Sequence, residues 1–197
     1  VFFDPNDRVF SSVLVPQVLF GFSMGSTEPG FDADEGLLPV DATITVSTTS
    51  IQYWNGTGSV AFADAQDVTG RYEPATMQAD SLGGFHAHPL FGLSGNLSDG
   101  VYLAELQVGA TGLADSDPFY LVTLVDDVIA SHPDAETAGE ELGELVRNYL
   151  EDASQLPNFG GKDFAFYGDA ISYVETQVVP EPTGNWVLVA CIFGLLA

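Results

Sequence analysis

Basic residues are scarce in this 197-residue chain: four Lys and Arg stand against 28 Asp and Glu, a formal net charge of −24. A field of that sign repels phosphate at every approach, which argues against nucleic acid and an anionic membrane surface as partners. It attracts divalent cations, basic partners and water instead. Cysteine is scarce too. The one thiol, Cys191, falls in the last apolar run, so no internal disulfide can form and the fold has to be held by its core. Also missing are the glycine-rich phosphate loops Gly-x-x-x-x-Gly-Lys and Gly-x-Gly-x-x-Gly. Carboxylates abound, but no pattern separates an acid from a base, and the chain reads as a non-enzyme. Charged residues make up only 16% and hydrophobic ones 46%, which suits one ordinary domain with a real core and excludes a chain disordered by composition.

What is present reads mostly as strands. Thr43-Ile44-Thr45-Val46-Ser47 alternates, Ser50 to Trp54 is aromatic and β-branched, and Ser59-Val60-Ala61-Phe62 alternates again. Asn55-Gly56-Thr57-Gly58 is a hairpin signal, and Asn96 to Gly100 precedes a further run, Val101 to Val108. Pro118 to Val125 is apolar enough for a central strand. This spacing predicts a mainly β fold, an antiparallel β-sandwich or jelly-roll-like domain, with one docked α-helix at about 134–152. That helix carries a Thr137/Glu140 capping box and an apolar stripe of Leu142, Leu145, Val146, Tyr149 and Leu150. Phe164 to Tyr167 and Ala170 to Val174 read as a returning hairpin around Gly168-Asp169.

Two of the three histidines stand at i, i+2 in Gly83-Gly84-Phe85-His86-Ala87-His88-Pro89. On a strand that spacing turns both imidazoles to one face, where they can ligate one zinc or other divalent transition ion. A closed zinc site needs a further donor, from His132, a carboxylate or the chain before Val1. Alternatively the pair packs at a strand end beside Phe85 and Phe91. Asp32-Ala33-Asp34-Glu35-Gly36 has the spacing that begins calcium loops but lacks the distal acid, and in so acidic a chain it reads rather as a solvated loop. Asp115-Ser116-Asp117-Pro118 reads as a turn. Tyr53 and Trp54 could stack on sugar rings, which makes a matrix adhesion or carbohydrate-binding module the second reading.

Near the C-terminus, Val178-Val179-Pro180-Glu181-Pro182 precedes an apolar run from Trp186 to Ala197. The arrangement resembles the PEP-CTERM sorting signal of Gram-negative exported proteins, in which a Pro-Glu-Pro triplet precedes a transmembrane helix and a short Arg-rich tail. The resemblance implies an exosortase-type processing enzyme as partner, membrane attachment through the C-terminal helix before processing, and delivery to the cell surface, outer membrane or extracellular matrix. The basic tail is not in this sequence. Twelve apolar residues are short of the about 20 that span a bilayer, so the reading frame is expected to continue past Ala197 into an Arg cluster, and to begin before Val1, which is no initiator Met. A wider resemblance covers residues 29–125. Pro29-Gly30-Phe31-Asp32, the His86/His88 block, Asp99-Gly100-Val101-Tyr102 and Ser116-Asp117-Pro118-Phe119 are similar to planctomycete-type exported PEP-CTERM proteins, and to actinobacterial surface-anchored domains associated with metal uptake. That likeness carries His86 and His88 over as ligands, although Ala87 stands where the family has a bulkier or basic residue. The expected organisation is a β-rich ectodomain over 1–176, a linker over 177–185 holding Pro180, Glu181 and Pro182, and the start of a transmembrane sorting helix over 186–197.

Overall fold

The computed structural model describes residues 8–179. Pro180, Glu181 and Pro182, expected from the sequence to form a sorting signal, and the apolar run after them lie outside the described residues. Within them, strand exceeds helix by 39% to 22%, and the chain is mainly β as its alternation predicts. In chain order the elements are β1 (Val9–Val13), β2 (Val15–Pro16), β3 (Met24–Ser26), β4 (Phe31–Ala33), β5 (Thr43–Trp54), β6 (Ala63–Asp64), β7 (Val68–Glu73), β8 (Thr76–Gln78), β9 (Phe85–Ala87), β10 (Leu90–Gly95), β11 (Gly100–Ala110) and β12 (Phe119–Val125). Then follow α1 (Asp127–Ala130), α2 (Ala135–Glu151), β13 (Asn158–Phe159), β14 (Lys162–Asp163), α3 (Ala165–Tyr173) and a π turn, Val174–Val178.

The larger sheet has the order β1-β12-β11-β5-β6, with β8 also on β5, and the smaller has β2-β3-β10-β7. All pairings are antiparallel except β1 with β12. The larger sheet is buried on both faces. Leu121, Tyr102, Ala104 and Leu106 meet Tyr72, Phe91 and Leu93 of the smaller sheet, and Leu14 from the β1–β2 junction, in one core. Val101, Leu103, Val122 and Leu124 meet Ile129, Leu142, Val146, Phe164, Tyr167 and Ile171 in another. This double burial explains why the runs at 101–108 and 118–125 are almost continuously apolar. The molecule is therefore a sandwich with a helical layer on one outer face.

Four sequence expectations change here. The runs 43–47 and 50–54 are one strand, because the register against β11 slips between Glu105 and Leu106, leaving Thr49 unpaired as a bulge. The extra residue inverts the parity, so Val46 and then Ile51 and Tyr53 face the same core. Residues 59–62 are not a strand: Val60 and Phe62 leave the ladder to pack on the helix-side core, and only Ala63–Asp64 pairs with β5. Residues 164–174 are a helix and not a hairpin. Phe164, Tyr167, Ile171 and Val174 are buried at helical spacing, and Gly168 admits the Tyr149 ring, which a Cβ would meet at 2.6 Å. Two main helices dock where one was expected.

The fourth change concerns the cap and the buried face of α2. Its N-cap is Asp134, whose carboxylate accepts the Thr137 amide at 3.2 Å and the Thr137 hydroxyl at 2.9 Å, so Thr137 is capped where it was expected to cap. Ala138, Gly139, Leu142 and Val146 are the buried residues, while Leu145 and Tyr149 are half-buried and Leu150 is exposed. The rotation follows from Gly139, which approaches Val13 and Val15 of the sheet closely. Glu141, Glu144 and Glu151 face water. At the end of the described chain, Val178 and Val179 still pack against the helix-side core.

Candidate functional site

The His86/His88 block forms half of a separate two-stranded ribbon. β9 pairs antiparallel with β4, with Phe31 opposite Ala87, Asp32 opposite His86 and Ala33 opposite Phe85. The turn into β9 is built by Asp80, whose Oδ1 accepts from the Leu82 amide at 2.8 Å and the Gly84 amide at 2.9 Å. Those bonds, Gly84 first and Leu82 next, hold the Asp80 carboxyl below its ordinary value. Gly83 is required there. Its φ is +76°, and a Cβ would stand 2.3 Å from the Leu38 carbonyl oxygen.

Both imidazoles lie on one face, with ring centroids 5.0 Å apart. Each meets a carboxylate through Nδ1: His86 faces Asp32 Oδ1 at 3.1 Å, and His88 faces Glu28 Oε1 at 3.2 Å. Glu28 is positioned in turn, because its other oxygen accepts the Gly30 amide at 3.3 Å. Gly30 also makes room for His88, whose Nδ1 a Cβ would meet at 2.6 Å. The His side chains are 71% and 45% exposed, so they do not pack as core residues, and Phe91 is buried in the sandwich. A carboxylate on Nδ1 selects the tautomer with its proton there and leaves the Nε2 lone pair to a ligand, as second-shell carboxylates do for metal-bound histidines. Asp32 thus belongs to a strand opposite a histidine, outside any calcium-type loop. Glu28 carried no sequence signal; the strand register alone brings the acids to the imidazoles.

Other candidates are placed elsewhere. His132 lies in the α1–α2 connection, where its Nδ1 stands 2.8 Å from the Asp134 carbonyl oxygen and 3.2 Å from the Asp134 amide and its ring lies 5.9 Å from Phe159. Trp54 is buried at 6% exposure and donates its indole N–H to the Thr57 carbonyl at 3.2 Å. Tyr53 is half-buried against Tyr102 and donates to the Asp99 carbonyl. Neither offers an open aromatic platform. Among the described residues no group of three or more His, Cys, Asp or Glu side chains is disposed to hold a metal ion, and no helix is long and apolar enough to cross a membrane.

No family model and no curated protein matches the chain. Among solved structures it is similar to a PapD-like domain of human CEP192, at 15% identity and a TM-score of 0.38 over 61% of this chain and 82% of that one. It is also similar to WR4, a member of the MSP family of C. elegans, at 8% identity and 0.28 over 59% and 92%. A third is the CooA pilin subunit of enterotoxigenic Escherichia coli, at 10% identity and 0.25 over 59% and 90%.

Proposed function

We propose that this chain is the ectodomain of an exported surface or matrix protein, without catalytic activity, that carries zinc or another divalent transition ion on His86 and His88. The observation that carries the reading is the paired arrangement on the ribbon: two exposed imidazoles on one face, each with a carboxylate at Nδ1 and Nε2 left for the ion. Two nitrogen donors suit zinc, copper or nickel, with water or a second molecule supplying the remaining positions. Among the described residues no third side chain joins the pair, so the two imidazoles would hold the ion with its other positions open to outside ligands. The Pro180-Glu181-Pro182 triplet supports export through an exosortase-type enzyme, with transient membrane attachment by the apolar run that follows. The matrix-polysaccharide reading loses its support, because Trp54 is inside the core.

The test is calorimetric titration of the protein with zinc at neutral and mildly acidic pH, beside the His86→Ala, His88→Ala double substitution. Imidazole ligates only when neutral, so heat should appear at neutral pH in the wild type, shrink on acidification and vanish in the double variant. Equal heats from the two proteins at neutral pH would leave the acidic surface as the cation binder and sink the proposal.

A further inference from the structure

A second charged group lies where β12 ends. Asp126 has no exposed side-chain surface; its Oδ1 accepts the Val128 amide at 3.0 Å, capping α1, and its Oδ2 accepts from Lys162 Nζ. Lys162 is one of only four basic residues in the chain, and the rings of Phe164 and Phe166 stand 5.4 and 5.9 Å from its ammonium. Asp99 approaches the same nitrogen, with Oδ2 at 3.9 Å, while its Oδ1 accepts the Asp127 amide at 3.1 Å. Burial first, and then the charges of Asp126 and Asp127, hold the Asp99 carboxyl above its ordinary value, against the pull of Lys162. The three charged side chains line a cleft of about 250 Å³ walled also by Asn55, Thr57 and Phe166.

We propose that this cleft is a self-modification site, in which Lys162 and Asp126 condense to an intramolecular isopeptide bond with Asp99 as proton carrier. An amine beside a carboxyl that cannot leave has the proximity that makes an unactivated condensation feasible. The surroundings favour the neutral product, because the Asp126 carboxylate has no exposed surface and an ionised carboxylate there pays a desolvation penalty that an amide avoids. In the reaction the ammonium yields its proton to a carboxylate, and the neutral Nζ attacks Cγ of the protonated Asp126. The Nζ–Cγ bond forms. Asp99 takes the second amine proton and hands one to the departing hydroxyl, the Cγ–Oδ bond breaks, and one water leaves, so no oxidant, metal or activated donor is consumed. The product ties β14 covalently to the end of β12 and closes the chain from 126 to 162 around α1 and α2.

The test is the intact mass of the purified protein, followed by tandem mass spectrometry of its proteolytic digest. The expected result is a chain lighter by one water, with a branched peptide joining residues 126 and 162. Lys162→Arg keeps a cation beside Asp126 but cannot form the amide, and it should restore the full mass. Asp99-Gly100 can lose water independently as a succinimide; that loss would survive Lys162→Arg and give no branched peptide. Asp99→Ala should yield folded protein of full mass, and a branched peptide formed at the wild-type rate in that variant would remove Asp99 from the reaction. Wild-type protein at its full sequence mass, or a wild-type digest with no branched peptide joining residues 126 and 162, overturns the bond itself, and neither result depends on how well Asp99→Ala folds. The outcome is also independent of zinc binding at the histidines.

Discussion

The ribbon and the cleft each set a nitrogen base against a carboxylate, but in opposite surroundings. In the His86–Asp32 pair the side chains are 71% and 67% exposed; in the Lys162–Asp126 pair they are 38% and 0% exposed. Water at the ribbon screens the attraction and leaves each partner free to be exchanged for a ligand. At the cleft the Asp126 carboxylate has no exposed surface, and Lys162 stands over it as a half-exposed partner. Under the two proposals, one chemical pairing would serve reversible binding where it is wet and fixation where it is dry. The surrounding architecture matches this division. Two short strands hold the histidines, whereas Asp126 follows the doubly buried β12 and lies beside the helical layer.

The sharpest way to break the comparison is to remove the cation from the cleft. Relative to Lys162→Arg, which keeps a cation there without the amide, Lys162→Met leaves the buried Asp126 carboxylate without its cation and should cost up to about 3 kcal/mol in chemical denaturation, less than for a fully buried pair because Lys162 itself is 38% exposed. A loss near zero would mean that water reaches the cleft as freely as it reaches the ribbon. Acid should act next, through a different set of carboxyls. Hydrogen bonds from Thr137, amide first and hydroxyl second, hold Asp134 below its ordinary value; the Gly84 and Leu82 amides do so for Asp80, and the Ser154 hydroxyl and amide for Asp152. A depressed folded pKa contributes stability above the unfolded value, and that contribution disappears as the pH falls through the folded one. The denaturation midpoint should therefore drop as the pH goes below the ordinary 3.8 of these groups, and Asp134→Ala should flatten that limb. Asp99 has the opposite sign. Its pKa is raised, so its favourable contribution belongs to the protonated form and fades as the pH rises past 3.8 through the elevated value. Asp99→Ala should therefore remove a loss of stability on the rising-pH side.

The contrast also explains what the sequence made legible. Strand alternation and the long apolar runs announced a mainly β chain, and the start and end of α2 fall at Asp134 and Asp152, close to the expected limits. The bulge at Thr49 was hidden because an inserted residue inverts the parity of alternation, and inverted parity reads as two strands. Helix α3 was hidden because Gly168-Asp169 imitates a turn, although Phe164, Tyr167, Ile171 and Val174 already had helical spacing. His86 and His88 could be found from their own spacing. Their acids could not, since Asp32 and Glu28 are 54 and 60 residues away and meet the rings only through the β4–β9 pairing and its approach. The cleft was harder still: Asp99, Asp126 and Lys162 come from three separate segments, and the only cue was a lysine surviving in a chain so nearly free of them.

The smallest effect on stability should come from the ribbon, and it is the one that tests what the ribbon is for. Asp32→Asn removes the charge opposite His86 while keeping the side chain's size. Because that pair is exposed on both sides, its loss should change folding stability by no more than about 1 kcal/mol, the range of surface ion pairs. Zinc affinity should respond far more strongly. An amide no longer holds the Nδ1 proton as the carboxylate does, so the tautomer that frees Nε2 is less favoured, and outer-shell losses of this type weaken metal binding by about 10–100-fold. Glu28→Gln should repeat the pattern at His88. Matched titrations and denaturation curves on the two variants check it. A drop in affinity with little change in stability means that the acids orient ligands, whereas a stability loss with unchanged zinc binding would make them struts of the ribbon and return the histidines to a structural role.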